Sequence, residues 1–188
     1  MAKVLIVYST GYGNTEKMAQ AVAEGVNSVD EAAAELKKVD EATLEDMAAA
    51  DALILGTPVH MGSMGWQMKK FIDEQCSQAW MADSLVGKVG AVFACGSGFG
   101  NTGGGAELTM LAMLNNLTEL GMIIIPLPKN TAGYSKGGLQ WGAYARAHNE
   151  DLSPIEGGVP PERILAARNH GANVARAALA LAGKEIFA

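Results

Sequence analysis

Four runs of apolar residues carry no polar alternation: Val4–Tyr8, Ala52–Gly56, Val89–Cys95 and Met122–Pro126. Each is bounded by Gly, Pro or polar turn residues and is rich in Val, Ile and Leu. A strand with one face in water alternates apolar and polar side chains, whereas a short continuous apolar run suits a strand covered on both faces. Ala34–Val39 reads as a weaker fifth strand, suited to a place near an edge.

Helical patterns fill the intervals. From Thr15, the apolar positions Met18, Val22, Val26 and Val29 recur at helical spacing. Thr43 with Asp46 forms a capping pair for a short helix through Ala50. Trp66 to Gln75 carries Met68, Phe71 and Ile72 on one side, and Glu107 to Leu120 is a further helix stopped by Gly121. The last helix begins near Pro160-Pro161-Glu162 and runs to Leu181, with Ile164, Ala167, Gly171, Val174, Ala178 and Leu181 on one face. Five such alternations predict a five-stranded parallel α/β sheet, with right-handed crossovers and helices on both faces. One domain spans residues 1–188, interrupted by a long irregular segment, 127–159, rich in Gly and polar residues. Loops of that length in compact domains are usually functional or disordered.

Composition narrows the partners. The net charge is −6, and the 14 Lys and Arg residues form no run. Nucleic-acid binding rests on Lys and Arg neutralising phosphates, so it is not expected, nor is attachment to an anionic membrane. Two cysteines, Cys76 and Cys95, suggest no disulfide framework and a reducing cytoplasmic setting. No segment reaches the length of a membrane span. His60, His148 and His170 are far apart and show no metal-ligand spacing. His170 lies within the last helical pattern and reads as structural.

In open α/β sheets ligands bind beyond the carboxyl ends of the strands. Three loops there carry the chemistry. The first, Ser9-Thr10-Gly11-Tyr12-Gly13-Asn14-Thr15-Glu16, leaves a strand and opens a helix, whose free N–H groups and dipole attract an anion. Its small hydroxyl and amide side chains add neutral donors, and it holds no Lys or Arg. A Walker A string is absent, and the dinucleotide fingerprint lacks its third Gly, since position 16 is Glu. By itself the loop also fits an ordinary Gly-rich connection. The second, Thr57-Pro58-Val59-His60-Met61-Gly62, offers N–H groups to the edge of a flat heterocycle. His60 has no local carboxylate partner. The third, Cys95-Gly96-Ser97-Gly98-Phe99-Gly100-Asn101 through Gly105, holds six glycines in eleven residues. Ordering so many glycines is costly, which is easier to explain if the backbone wraps a ligand.

These loops, taken with the rest of the chain, resemble the flavodoxin superfamily and, more closely, the WrbA-type NAD(P)H:quinone oxidoreductases. The resemblance rests on Met1-Ala2-Lys3-Val4-Leu5, Tyr12-Gly13, Met18-Ala19, Ala21-Val22-Ala23-Glu24-Gly25, Gly56-Thr57-Pro58, Gln67-Met68 and Phe71-Ile72-Asp73. It continues through Val92-Phe93, Thr102-Gly103-Gly104-Gly105, Gly121-Met122, Gly137-Gly138 and Trp141-Gly142-Ala143, nearly the whole chain. It implies a three-layer flavodoxin-like fold with strand order 2-1-3-4-5. It implies FMN as cofactor, with the phosphate and ribityl chain on Thr10–Thr15. Val59, His60, Met61 and Gly62 then line the ring edge, and Cys95–Asn101 close over its pyrimidine side. Tyr12 and Trp80 stand where the family contacts nicotinamide or quinone, and Trp141, where the family commonly has Tyr, could wall the pocket or cross to a neighbouring subunit. The implied reaction passes a hydride from NAD(P)H through flavin N5 to a quinone, two electrons at a time in ping-pong order, with no catalytic side chain and in a homodimer or homotetramer. Departures are a shorter chain after the second strand, a longer third loop, and Leu120 in place of the family's histidine before Gly-Met. The rival reading is a flavodoxin-type electron carrier. The second loop has no aromatic residue to cover the ring, which favours the enzyme.

Overall fold

The computed structural model describes residues 1–187. In chain order the elements are β1 (Ala2–Tyr8), α1 (Asn14–Asn27), β2 (Ala32–Lys38), α2 (Leu44–Ala49), β3 (Ala52–His60), β4 (Ser63–Met64) and α3 (Trp66–Phe71). A π-helical turn (Ile72–Cys76) joins α3 to α4 (Ser77–Met81). Then follow β5 (Val89–Gly96), a 3₁₀ turn (Phe99–Asn101), α5 (Ala106–Glu119), β6 (Ile123–Ile124), α6 (Tyr134–Gly137), β7 (Gly138–Leu139), β8 (Gly142–Arg146) and α7 (Pro161–Leu181).

The sheet runs β2-β1-β3-β5-β8-β7, with β6 also on β5 and β4 folded back on β3. All pairings are parallel except β3–β4 and β7–β8. The expected fifth strand is present in two pieces. Ile124 pairs with Gly90, and two residues further along β5, Val92 pairs with Gly142. The chain leaves the sheet at Pro126, which has no N–H to give the ladder, makes an excursion through α6 and β7, and returns as β8. The segment 127–159 is therefore not irregular throughout, and the sheet has more strands than five.

Both faces of the sheet are covered, as the apolar runs require. Val4 and Ile6 of β1, Ile54 of β3 and Phe93 of β5 face α1 and α7, where Met18, Val22, Val26 and Val174 meet them. Leu5, Val7, Leu53, Leu55 and Val92 face the other way, against Met47, Met68, Phe71, Met110 and Met113 from α2, α3 and α5. Each such side chain contributes roughly 1.5–3 kcal/mol by leaving water. The α1 and α7 helices touch through glycine: a Cβ on Gly25 would lie 1.8 Å from the Arg168 carbonyl oxygen, and one on Gly171 2.2 Å from that of Val22. Thr43 and Asp46 do form a reciprocal capping box at the start of α2. No helix among the described residues is long and apolar enough to cross a membrane.

Candidate functional site

The carboxyl ends of β1, β3, β5 and β8 meet at one edge. After Tyr8 the chain turns across that edge, with the Ser9 amide donating to the Gly56 carbonyl at 3.0 Å. The Tyr8 hydroxyl donates to Glu16 at 2.9 Å, and burial plus that carboxylate push its pKa up to about 12. Thr10 Oγ1 accepts from the Gly13 amide at 3.0 Å, bending the loop into the first turn of α1. Gly13 is the N-cap, in the left-handed region at φ 80° that a glycine enters without steric cost, and no side chain caps the helix. The first amide of the helix to find a carbonyl is that of Lys17, on Gly13 at 3.1 Å. Among the described residues the amides of Asn14, Thr15 and Glu16 have no protein acceptor. Three free donors at the positive end of a 14-residue helix form an anion cradle.

The second loop is a β-hairpin rather than an open connection. Val59 pairs with Met64 and His60 with Ser63, leaving a two-residue turn, Met61-Gly62, with both φ positive at 48° and 79°. That is the turn geometry compatible with the twist of a tight hairpin. Thr57 anchors it from beneath: fully buried, its Oγ1 accepts from the Gly65 amide at 3.0 Å and lies 3.4 Å from Ser9 Oγ. The third loop is held from outside. The Gly100 amide donates to the Glu150 carbonyl at 2.8 Å, Asn101 bonds the Glu150 carboxylate, and Arg146 donates to the Thr102 carbonyl at 2.9 Å.

A cleft of about 250 Å³ lies between these loops. Thr10, Gly11, Tyr12, Asn14 and Thr15 line it from the first loop, Pro58, Val59 and His60 from the hairpin, and Cys95, Gly96 and Ser97 from the third. Ala147, His148 and Leu152, just beyond β8, complete it. No Lys or Arg is among the lining residues. Burial pushes the Cys95 thiol up to about 12, so it stays protonated and unreactive at neutral pH. Ser97 Oγ donates to the Gly96 carbonyl at 2.7 Å and lies 2.9 Å from His148 Nδ1. A hydroxyl whose one proton is so placed can accept from His148 Nδ1–H, and Nε2 then makes no contact with Ser97.

Of the other expected site residues, Ser9 and Thr57 are buried below the cleft, and Gly13 caps α1. Met61, Gly62, Gly98, Phe99, Gly100 and Asn101 do not line the cleft, and Met61 and Phe99 are exposed. Trp80 is not brought there: it shares a depression with Asn116, Glu119 and Leu120. Trp141 is half-buried against the core on the α5 side, at the start of β8 rather than its carboxyl end. Sequence reasoning missed Ala147, His148 and Leu152. Their signal lay in the Ala-rich run Gly142–Arg146, which continues the fifth strand and so delivers the next residues to the carboxyl edge. Among the described residues no group of three or more His, Cys, Asp or Glu is placed to hold a metal.

Fold and site together define a doubly wound α/β protein with a cation-free anion cradle beside a narrow cleft. The flavodoxin family profile matches residues 6–121, and the chain belongs to that family. It is 36% identical to an NAD(P)H dehydrogenase (quinone) of Syntrophobacter fumaroxidans, over 94% of this chain and 97% of that one. It is 40% identical to a flavodoxin of Aquifex aeolicus over 66% of this chain, a match that spans 64% of the Aquifex protein. The crystal structure of a flavodoxin, WrbA-like protein from Agrobacterium tumefaciens superposes with a TM-score of 0.71 at 27% identity, covering 96% and 99% of the two chains. FMN is the cofactor of this family. The residues present fit it: three uncapped amides suit a phosphate monoester, and the cleft walls beside them are neutral.

Proposed function

We propose that the protein is an FMN-dependent NAD(P)H:quinone oxidoreductase. The observation that carries the FMN site is the uncapped first turn of α1, with the amides of Asn14, Thr15 and Glu16 free at the cleft. These amides, with the side chains of Thr10, Asn14 and Thr15, would hold the phosphate, and the Pro58–His60 and Cys95–Ser97 walls would flank the ring. FMN bound there supplies hydride acceptance from NAD(P)H and two-electron delivery to a quinone.

The chain's own residues shape access and protons. The hairpin tip bears no aromatic ring, and Tyr12 stands 86% exposed at the rim, so a planar substrate can approach the cleft. Val59, Cys95, Ala147 and Leu152 give it apolar walls that limit water. Quinone reduction to hydroquinone consumes a proton besides the hydride. His60 and His148 are the imidazoles on the walls, and the Ser97 contact leaves Nε2 of His148 free to hold that proton.

The 36% identity to an NAD(P)H dehydrogenase (quinone) over nearly the full chain supports the enzyme. The 40% identity to the Aquifex flavodoxin supports the alternative, an electron carrier without turnover. Steady-state assay of the FMN-loaded protein with NADH or NADPH and benzoquinone separates them. The enzyme gives parallel double-reciprocal lines, as alternating occupancy of one site requires. A carrier gives no turnover with either nucleotide. A homodimer or homotetramer is supported by α5, which exposes Leu108 and Leu111, and by the exposed Trp80 and Met81. Light scattering at micromolar concentration checks it, and a monomer contradicts it.

A further inference from the structure

A second groove, of about 510 Å³, adjoins the cleft and shares Thr10 with it. The end of β2 supplies Lys38 and the turn after it Asp40 to one side, and α3 supplies Trp66, Gln67 and Lys70 to the other. None of these five side chains has a part in the cleft. Trp66 leaves 69% of its surface in water, an unusual position for an indole on a folded surface. Lys38 has no ion-pair partner among the described residues, and Lys70 reaches only the exposed Glu74, at 3.9 Å. An exposed indole with two loosely engaged ammonium groups and two carboxylates, Asp40 and the Glu74 that also lines the groove, is a mixed set. Aromatic faces stack nucleobases, ammonium groups bind phosphates, and a carboxylate accepts from ribose hydroxyls. Asp40 also stands where dinucleotide folds place their acid, just past the end of the second strand.

We propose that this groove binds the adenosine-diphosphate half of NAD(P)H: Trp66 under the adenine, Lys38 and Lys70 on the diphosphate, Asp40 on the ribose. The groove borders the cleft at Thr10, so a dinucleotide anchored in it can lay its nicotinamide against the open face of the flavin that the cleft holds. This rests on the oxidoreductase reading and adds to it the place where the nucleotide is anchored.

The probe is ADP-ribose, titrated into FMN-loaded protein by calorimetry and by tryptophan emission. ADP-ribose quenches emission in the wild type and not in W66L, and it competes with NADH. The exposed double variant K38E/K70E weakens ADP-ribose by at least about tenfold. The KM for NADH rises by the same factor, while the KM for reduced nicotinamide riboside, which lacks the whole adenosine diphosphate, stays unchanged. FMN content equal to wild type shows that the variants fold. Unchanged ADP-ribose affinity in K38E/K70E and W66L, or ADP-ribose that binds without displacing NADH, overturns the proposal. If neither reduced nicotinamide reacts with wild-type flavin, the oxidoreductase reading fails instead, and the binding titration still decides whether the groove takes an adenine nucleotide.

Discussion

His170 makes the stability of this fold depend on pH in a calculable way. It sits on the inner face of α7, fully buried, and neither ring nitrogen has a hydrogen-bond partner. Burial disfavours the charged ring and pushes its pKa from 6.5 down to about 4. In the unfolded chain the ring titrates at its ordinary value. Between the two values the unfolded state holds a proton that the folded state refuses. Stability from this group is therefore complete above pH 6.5 and is lost as pH falls through about 4. The loss is about 2 kcal/mol at pH 5 and tends to about 3 kcal/mol at lower pH. Urea unfolding of the wild type and of His170→Leu, at fixed FMN concentration, reads it. Leucine removes both the unpartnered nitrogens and the titration, so the variant should match or exceed the wild type at neutral pH. The gap should widen by about 2 kcal/mol on going to pH 5. A gap that stays constant with pH refutes the reasoning, because it means that the ring is already hydrated or already charged.

Three further outcomes follow from packing and from the cleft. A Cβ on Gly56 would lie 1.9 Å from the ring tip of the fully buried Phe93, so Gly56→Ala should cost roughly 1–3 kcal/mol in thermal melts, with partial recovery when Phe93→Leu is added. Thr57→Val removes the acceptor of the Gly65 amide; it should lower stability by about 1–3 kcal/mol and weaken FMN binding, whereas Thr57→Ser should keep both. His148→Gln should lower kcat on benzoquinone by about tenfold or more with FMN affinity retained, because the contact at 2.9 Å places the imidazole rather than the phosphate cradle.

The layers were legible because hydrophobic period reports directly on burial. Val4–Tyr8 and Val89–Cys95 read as doubly covered strands and are so. Pro161 and Leu181 bound α7 as the Pro pair and the apolar face at Ile164 and Ala167 indicated. The split of the fifth strand was not legible. Its second half, Gly142–Arg146, is built of Gly, two Ala, one Tyr and one Arg, residues that contribute little to an apolar run, yet Ala143 and Ala145 are fully buried because helix α7 packs close above them. The hairpin of Met61-Gly62 was hidden for a related reason: β4 is two residues long, too short to show an alternation. At the site, the cradle was readable from Gly13 followed by a helix. His148 was not, since its place depends on a register between distant segments that no local pattern encodes. The adjoining groove was hidden for the same reason, because Lys38 and Lys70 are far apart in the chain and line one groove only in the fold.

The most direct measurement is an anaerobic titration of the purified, FMN-loaded protein with NADH and NADPH, followed in the flavin absorption band. At least one nucleotide should bleach the band with a stoichiometry of about one hydride per flavin, and benzoquinone should restore it fully. A band that neither nucleotide changes, in protein whose flavin is bleached readily by a chemical reductant, rules out an NAD(P)H-dependent enzyme and leaves an electron carrier in its place.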